Sequence, residues 1–132
     1  MEQQFAQEQA TDCLLSQESD IKHYLAKAAE ARIPLAVSFE MTRRCNFRCG
    51  HCYLGDQYAV RKHKAQELNT RAVVTLIDEM VEAGTLFLTM TGGDPMLRPD
   101  FLDIYRHAVR SGLLVTVFCN GSLITDEIVS TL

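Results

Sequence analysis

Three thiols stand within eight residues in the stretch Cys45-Asn46-Phe47-Arg48-Cys49-Gly50-His51-Cys52, spaced CxxxCxxC. A loop of that length can turn all three sulfurs toward one inorganic centre, and two chemistries use such a donor set. Structural zinc takes four ligands in a tetrahedron, and here the fourth would come from His51, His63 or Cys119. An iron-sulfur cluster takes one thiolate per ligated iron, so a four-iron cluster held by three cysteines keeps one iron open for a substrate or cofactor. Arg43, Arg44 and Arg48 bracket the thiols. Their positive charge favours thiolates and offsets the negative charge of a thiolate-bound cluster.

The elements that must position this loop are readable from periodicity. The run Leu35 to Met41 follows Pro34 and is mostly apolar, which predicts a first strand ending directly at the cysteine segment. Asn69 or Thr70 caps a helix whose stripe is Val73, Val74, Leu76, Ile77, Met80 and Val81, stopped at Gly84. Leu86 to Met90 is a second strand that runs into Thr91-Gly92-Gly93-Asp94-Pro95. A second helix begins near Pro99 and carries Phe101, Ile104, Tyr105, Ala108 and Val109 on one side. Leu114 to Cys119 is a third strand, Asn120-Gly121 turns the chain, and Thr125 caps a last helix with Asp126 and Glu127 in its first turn.

Strands alternating with helices, and strands nearly all apolar, predict an α/β fold with a parallel sheet covered on both faces. Ligands of such sheets collect at the carboxyl ends of the strands. All three chemically informative segments fall there: the cysteines, Gly92-Gly93-Asp94-Pro95, and Asn120-Gly121. They predict one composite site. Taken alone, Gly92-Gly93-Asp94-Pro95 also has the composition of an ordinary strand-to-helix turn.

Ahead of this unit, Ile21, Tyr24, Leu25 and Ala28 lie on one face of a helix over residues 19–32, and residues 1–16 are polar without a sustained period. We therefore divide the chain into a 1–34 extension with one amphipathic helix and a main unit over residues 35–132. The Arg61-Lys62-His63-Lys64 run lies in a charged connection over residues 55–67 and reads as a solvated loop.

Composition narrows the function. A 132-residue chain that is 47% hydrophobic can bury a real core. A formal net charge of -4 argues against a nucleic-acid partner held mainly through phosphates. No apolar run reaches membrane-span length, and the Gln/Glu-rich start lacks the basic and apolar regions of a signal peptide. The expectation is a cytoplasmic protein without a membrane partner. The five cysteines, Cys13, Cys45, Cys49, Cys52 and Cys119, are odd in number and three of them crowd one loop, which fits metal or redox chemistry better than a secreted disulfide framework.

With CxxxCxxC after a first strand, Gly92-Gly93-Asp94-Pro95 after a second and Cys119-Asn120-Gly121 after a third, residues 35–132 resemble the radical S-adenosylmethionine (SAM) enzymes. The phrase Thr42-Arg43-Arg44-Cys45-Asn46-Phe47-Arg48-Cys49-Gly50-His51-Cys52-Tyr53 is similar to the subgroup that often carries a C-terminal SPASM domain and modifies peptides or builds cofactors. The resemblance implies that Cys45, Cys49 and Cys52 ligate a 4Fe-4S cluster whose open iron chelates the methionine part of SAM. One electron would then cleave the sulfonium, and the resulting 5'-deoxyadenosyl radical would abstract hydrogen from a peptide or small-molecule precursor. It implies further that Gly92 and Gly93 let the backbone approach the methionine, that Asp94 accepts from its ammonium group, that His51 lies near the adenine, and that Asn120 borders the same site. An electron donor such as flavodoxin or ferredoxin is implied as partner.

Two residues depart from the family pattern. Asp94 stands where Glu is more frequent, and Cys119 where Thr or Ser is frequent. A full core in this family has six βα units and this chain supplies three, so the resemblance implies the N-terminal half of a partial parallel (βα)n barrel, open to self-association through its sheet edge. The alternative reading is a non-catalytic zinc-binding or assembly module.

Overall fold

The computed structural model describes residues 20–54 and 67–132. Cys13, His63 and the basic run lie outside the described residues, as does the polar stretch 1–16. The chain divides into two compact units between Pro34 and Leu35. The first is described as a helix, α1, over residues 20–30, with Ile21, Tyr24 and Leu25 exposed.

The second unit runs β1 (Ala36–Thr42), α2 (Thr70–Glu82), β2 (Phe87–Gly92), α3 (Phe101–Arg110), β3 (Leu114–Val117) and α4 (Asp126–Thr131). The strands form one parallel sheet in the order β1-β2-β3. The helix starts have local causes. Asn69 Oδ1 accepts from Ala72 N at 2.9 Å, and Thr125 Oγ1 accepts from Ile128 N at 3.3 Å. Each satisfies a donor that the first turn leaves without an intrahelical partner.

One difference from expectation shapes the site. α3 begins at Phe101 because a short 3-10 turn, Pro95–Leu97, intervenes, with Asp94 as its cap and Pro95 in its first position. Arg98 then returns to extended backbone, φ −79° and ψ 127°.

The core lies on one face of the sheet. Met41, Leu88 and Met90 meet Val73 and Ile77 of α2 and Phe101, Ile104, Tyr105 and Ala108 of α3. Complete burial of Ile77, Leu88, Met90 and Ile104 stabilises the fold by about 2 kcal/mol each. The expectation of two covered faces does not hold among the described residues. The other face carries Ala36, Phe87 and Leu114 on one rung, Ser38, Thr89 and Thr116 on the next, and Glu40 beside Thr91. Exposure alternates along β1 and β3 accordingly, which is the period-two pattern of strands with one buried face.

β1 breaks that alternation at its end. Glu40 pairs with Thr91 but Thr42 pairs with Gly92, so Met41 and Thr42 together oppose one step of β2. This bulge buries both side chains, at 3% and 2% exposure, and turns Thr42 away from the face that Glu40 occupies.

Candidate functional site

The bulge leads straight into the cysteine loop, and the glycine turn after β2 is fastened to that entry by backbone alone. Gly93 N donates to Thr42 O at 2.8 Å, and Asp94 N donates to Arg44 O at 2.8 Å. The approach is too close for side chains. A Cβ on Gly92, whose φ is +125°, would lie 2.2 Å from Thr42 O, and one on Gly93 would lie 2.0 Å from Arg44 O. Both glycines are thus filled on their Cβ side by the protein's own backbone, a close approach that only a residue without a side chain allows.

The loop is fastened on its other flank by the segment that follows β3. Asn120 Nδ2 donates to Asn46 Oδ1 at 2.8 Å and lies 3.8 Å from Cys45 Sγ. Asn46 Nδ2 donates in turn to Ser122 Oγ at 2.8 Å, and Asn120 Oδ1 accepts from Ser122 N at 2.9 Å. Asn46 was not singled out from sequence, because an asparagine between cysteines carries no signal of its distant partner. Asp94 is fully buried. Its Oδ1 accepts from Met96 N at 2.9 Å, capping the 3-10 turn, and its Oδ2 reaches Asn120 N at 3.4 Å. The structure thus brings Gly92, Gly93, Asp94, Asn120 and Cys45 to one strand-end cluster.

None of Cys45, Cys49 and Cys52 is in a disulfide; Cys49 is exposed and the other two are partly buried. The loop closes on itself where Cys52 N donates to Cys49 O at 3.1 Å. Among the described residues no three His, Cys, Asp or Glu side chains are grouped closely enough to hold a metal ion as they stand. As a donor set, three thiols on one loop, none of them in a disulfide, fit a cluster ligated at three irons. His51 is exposed on the same loop, next to Cys52.

The arginines bracketing the thiols divide in role. Arg44 is engaged by Glu67: Nε donates to Oε1 at 2.8 Å and Nη2 to Oε2 at 3.0 Å, the bidentate geometry that guanidinium and carboxylate prefer. Arg43 Nη2 reaches Leu54 O at 3.4 Å. Glu67 also accepts from the Thr42 hydroxyl, and Thr42 Oγ1 accepts from Arg44 N at 3.0 Å.

Behind this clamp lies Arg98, 5% exposed. Its Nη1 donates to Met41 O at 3.1 Å, its Nη2 to Leu68 O at 3.1 Å, and its Nε and Nη2 to the two oxygens of Asp100 at 3.0 and 2.7 Å. Glu67 Oε2 stands 4.0 Å away. One guanidinium therefore joins the end of β1, the start of α2 and the start of α3. Sequence reasoning missed both Glu67 and Arg98. The local signal was Arg98-Pro99-Asp100, an arginine and a carboxylate flanking a proline at a helix start.

Burial alone would raise the pKa of Glu67, but hydrogen bonds from Arg44 and Thr42 and the charges of Arg44 and Arg98 outweigh it and hold the carboxyl below its ordinary range. Asp100 is lowered likewise, burial being outweighed by Arg98 and the Thr70 hydroxyl. A depressed carboxylate stabilises the native state above its unfolded-state pKa and loses that contribution as pH falls through the folded value. We expect thermal melts between about pH 5 and 3 to fall more steeply with acid in the wild type than in the Glu67→Gln, Asp100→Asn double variant. Parallel slopes would refute the assignment.

The description "Radical SAM superfamily" fits residues 39–132 of this sequence. The chain is 36% identical over 104 residues to an AdoMet-dependent heme synthase of Methanosarcina barkeri, covering 79% of this chain and 29% of that one. It is 31% identical over 99 residues to the mycofactocin maturase MftC of Mycobacterium tuberculosis, covering 75% and 24%. With the PqqA peptide cyclase of Bradyrhizobium diazoefficiens the identity is 32% over 100 residues, covering 76% and 26%. Its fold matches that of Streptococcus suis SuiB, solved bound to the precursor peptide SuiA, with a TM-score of 0.64 at 19% identity, over 86% of this chain and 26% of the other. The chain thus spans less than a third of the length of each of these relatives.

Proposed function

The chain belongs to the radical SAM superfamily, and from that premise we propose that Cys45, Cys49 and Cys52 ligate a 4Fe-4S cluster beside a site for SAM bordered by Gly92, Gly93, Asp94, His51 and Asn120. When bound, these groups supply one-electron reductive chemistry that starts hydrogen abstraction from a substrate. The protein's own residues give that chemistry its frame. The thiols provide three anionic donors, Asn120 steadies Cys45, and the glycine turn sets the height of the loop above the strand ends. Asp94 accepts from Met96 N and Asn120 N and so fixes the turn between Gly93 and Asn120. The observation that carries this reading is the convergence of three successive strand ends on the loop that bears the thiols.

The substrate we propose is a peptide or cofactor precursor. Relatives named as a heme synthase, a mycofactocin maturase and a peptide cyclase support that class. An electron donor such as flavodoxin or ferredoxin supplies the electron, and the setting is the cytoplasm. No helix among the described residues is long and apolar enough to cross a membrane. β1 and β3 are the sheet edges among these residues, and unpaired backbone there is where self-association would begin.

Anaerobic reconstitution with iron and sulfide tests the reading. The expected result is a brown protein with about four irons per chain, and a Cys45, Cys49, Cys52 triple alanine variant that stays colourless. A wild type that takes up no iron would overturn it, and stoichiometric zinc that survives reconstitution would replace it with a zinc-binding module.

A further inference from the structure

The thiol loop leaves the sheet at Arg44, one residue before Cys45, and Arg44 is held at three points. Its carbonyl accepts from Asp94 N, its amide donates to Thr42 Oγ1, and its guanidinium is forked onto Glu67. Two of these three depend on one distant carboxylate. Because the Thr42 hydroxyl gives its proton to Glu67, its lone pairs face Arg44 N, so Glu67 sets both the side-chain anchor and the orientation of the hydroxyl that receives the main chain. The pair is well shielded, with Arg44 and Glu67 side chains 14% and 13% exposed. Charge-assisted hydrogen bonds there are stronger than at an open surface.

We infer that Glu67 is a positioning residue for the cysteine loop, acting through Arg44 and Thr42 to hold Cys45 at the strand ends. This rests on the thiols being the functional groups of the site, though not on which metal they take. Glu67 stands two residues before Asn69, the cap of α2, and its backbone neighbour Leu68 is tied by its carbonyl to the buried Arg98. The loop is therefore braced against the start of a core helix. The arrangement also reassigns Arg44: its charge is neutralised by Glu67, so it is a structural cation and does not serve as counter-charge to the thiolates.

The test uses the metal-free protein and iodoacetamide, with alkylation of each cysteine followed by peptide mass spectrometry and Cys119 as internal reference. Glu67→Ala and Arg44→Ala should each accelerate modification of Cys45 relative to Cys119 by about tenfold, the loss of one charge-assisted anchor. Their combination should stay within about twofold of Glu67→Ala alone, because that variant already removes the contact that Arg44→Ala removes. Where the alanine variant loses its cooperative melt, Glu67→Gln, which retains an acceptor for Thr42, serves in its place and should give about threefold. An unchanged Cys45 to Cys119 ratio, or effects that multiply in the double variant, would overturn the inference. A wild type that takes up no iron while Glu67 still governs Cys45 would support the positioning role and sink only the cluster assignment.

Discussion

Gly93→Ala is expected to destabilise the protein by about 3 kcal/mol and to displace the cysteine loop, as read from the urea midpoint and from alkylation of Cys45. The added carbon would sit 2.0 Å from Arg44 O and 2.5 Å from Arg44 C. Those are backbone atoms, and a backbone cannot swing aside as a side-chain tip can. Relief requires breaking the bond from Asp94 N to Arg44 O, and that bond is what ties the turn after β2 to the loop. The comparison is internal: Gly50, in the same loop, has nothing within 4 Å of its added Cβ, so Gly50→Ala should fall within about 0.5 kcal/mol of wild type. If both variants melt alike, the close approach is not a constraint on the fold.

The second large effect is expected at Arg98. Arg98→Ala removes a buried cation that serves Met41 O, Leu68 O and both oxygens of Asp100. Removing one member of such a set leaves the rest desolvated and unmatched, which costs about 3 kcal/mol or more. We take the lower end, because the partners retain some exposure, 18% for Asp100 and 13% for Glu67. Arg98→Lys separates charge from geometry. An ammonium carries the charge but lacks the planar fork that reaches two carbonyls and a carboxylate at once, so it should recover less than about half of the loss. Full recovery by lysine would mean that charge alone holds this junction.

The fold was largely legible because its signals are local. Asn69 and Thr125 announce helix starts by side-chain chemistry that acts over three residues, and the core stripes of α2 and α3 follow a helical period. The grouping of motifs at strand ends followed from strand-helix alternation, which fixes direction before any contact is known. What escaped was whatever depends on partners far along the chain. Glu67 meets Arg44 across 23 positions, Arg98 meets Met41 across 57, and Asn120 meets Asn46 across 74. The same limit explains the arginines: Arg44 looked like a counter-charge for the thiols because its neighbours in sequence are cysteines, whereas its neighbour in space is a carboxylate. The apolar look of the strands concealed Ser38, Glu40, Thr89 and Thr116, whose alternation places them together on the face opposite the core.

The bulge in β1 gives that strand two reading frames. Up to Glu40, an even-numbered residue looks away from the helices; at Thr42 the parity is inverted, and the even-numbered side chain turns toward Glu67. Substitution and deletion are therefore unequal perturbations here. Exchanging Ser38 or Glu40 alters the chemistry of one face and leaves the strand's frame intact. Removing a single residue between Ala36 and Met41 changes the frame itself, so either the pairing with β2 slips or Thr42 rotates away from its carboxylate, carrying the first cysteine with it. In this strand, length is a stricter requirement than composition.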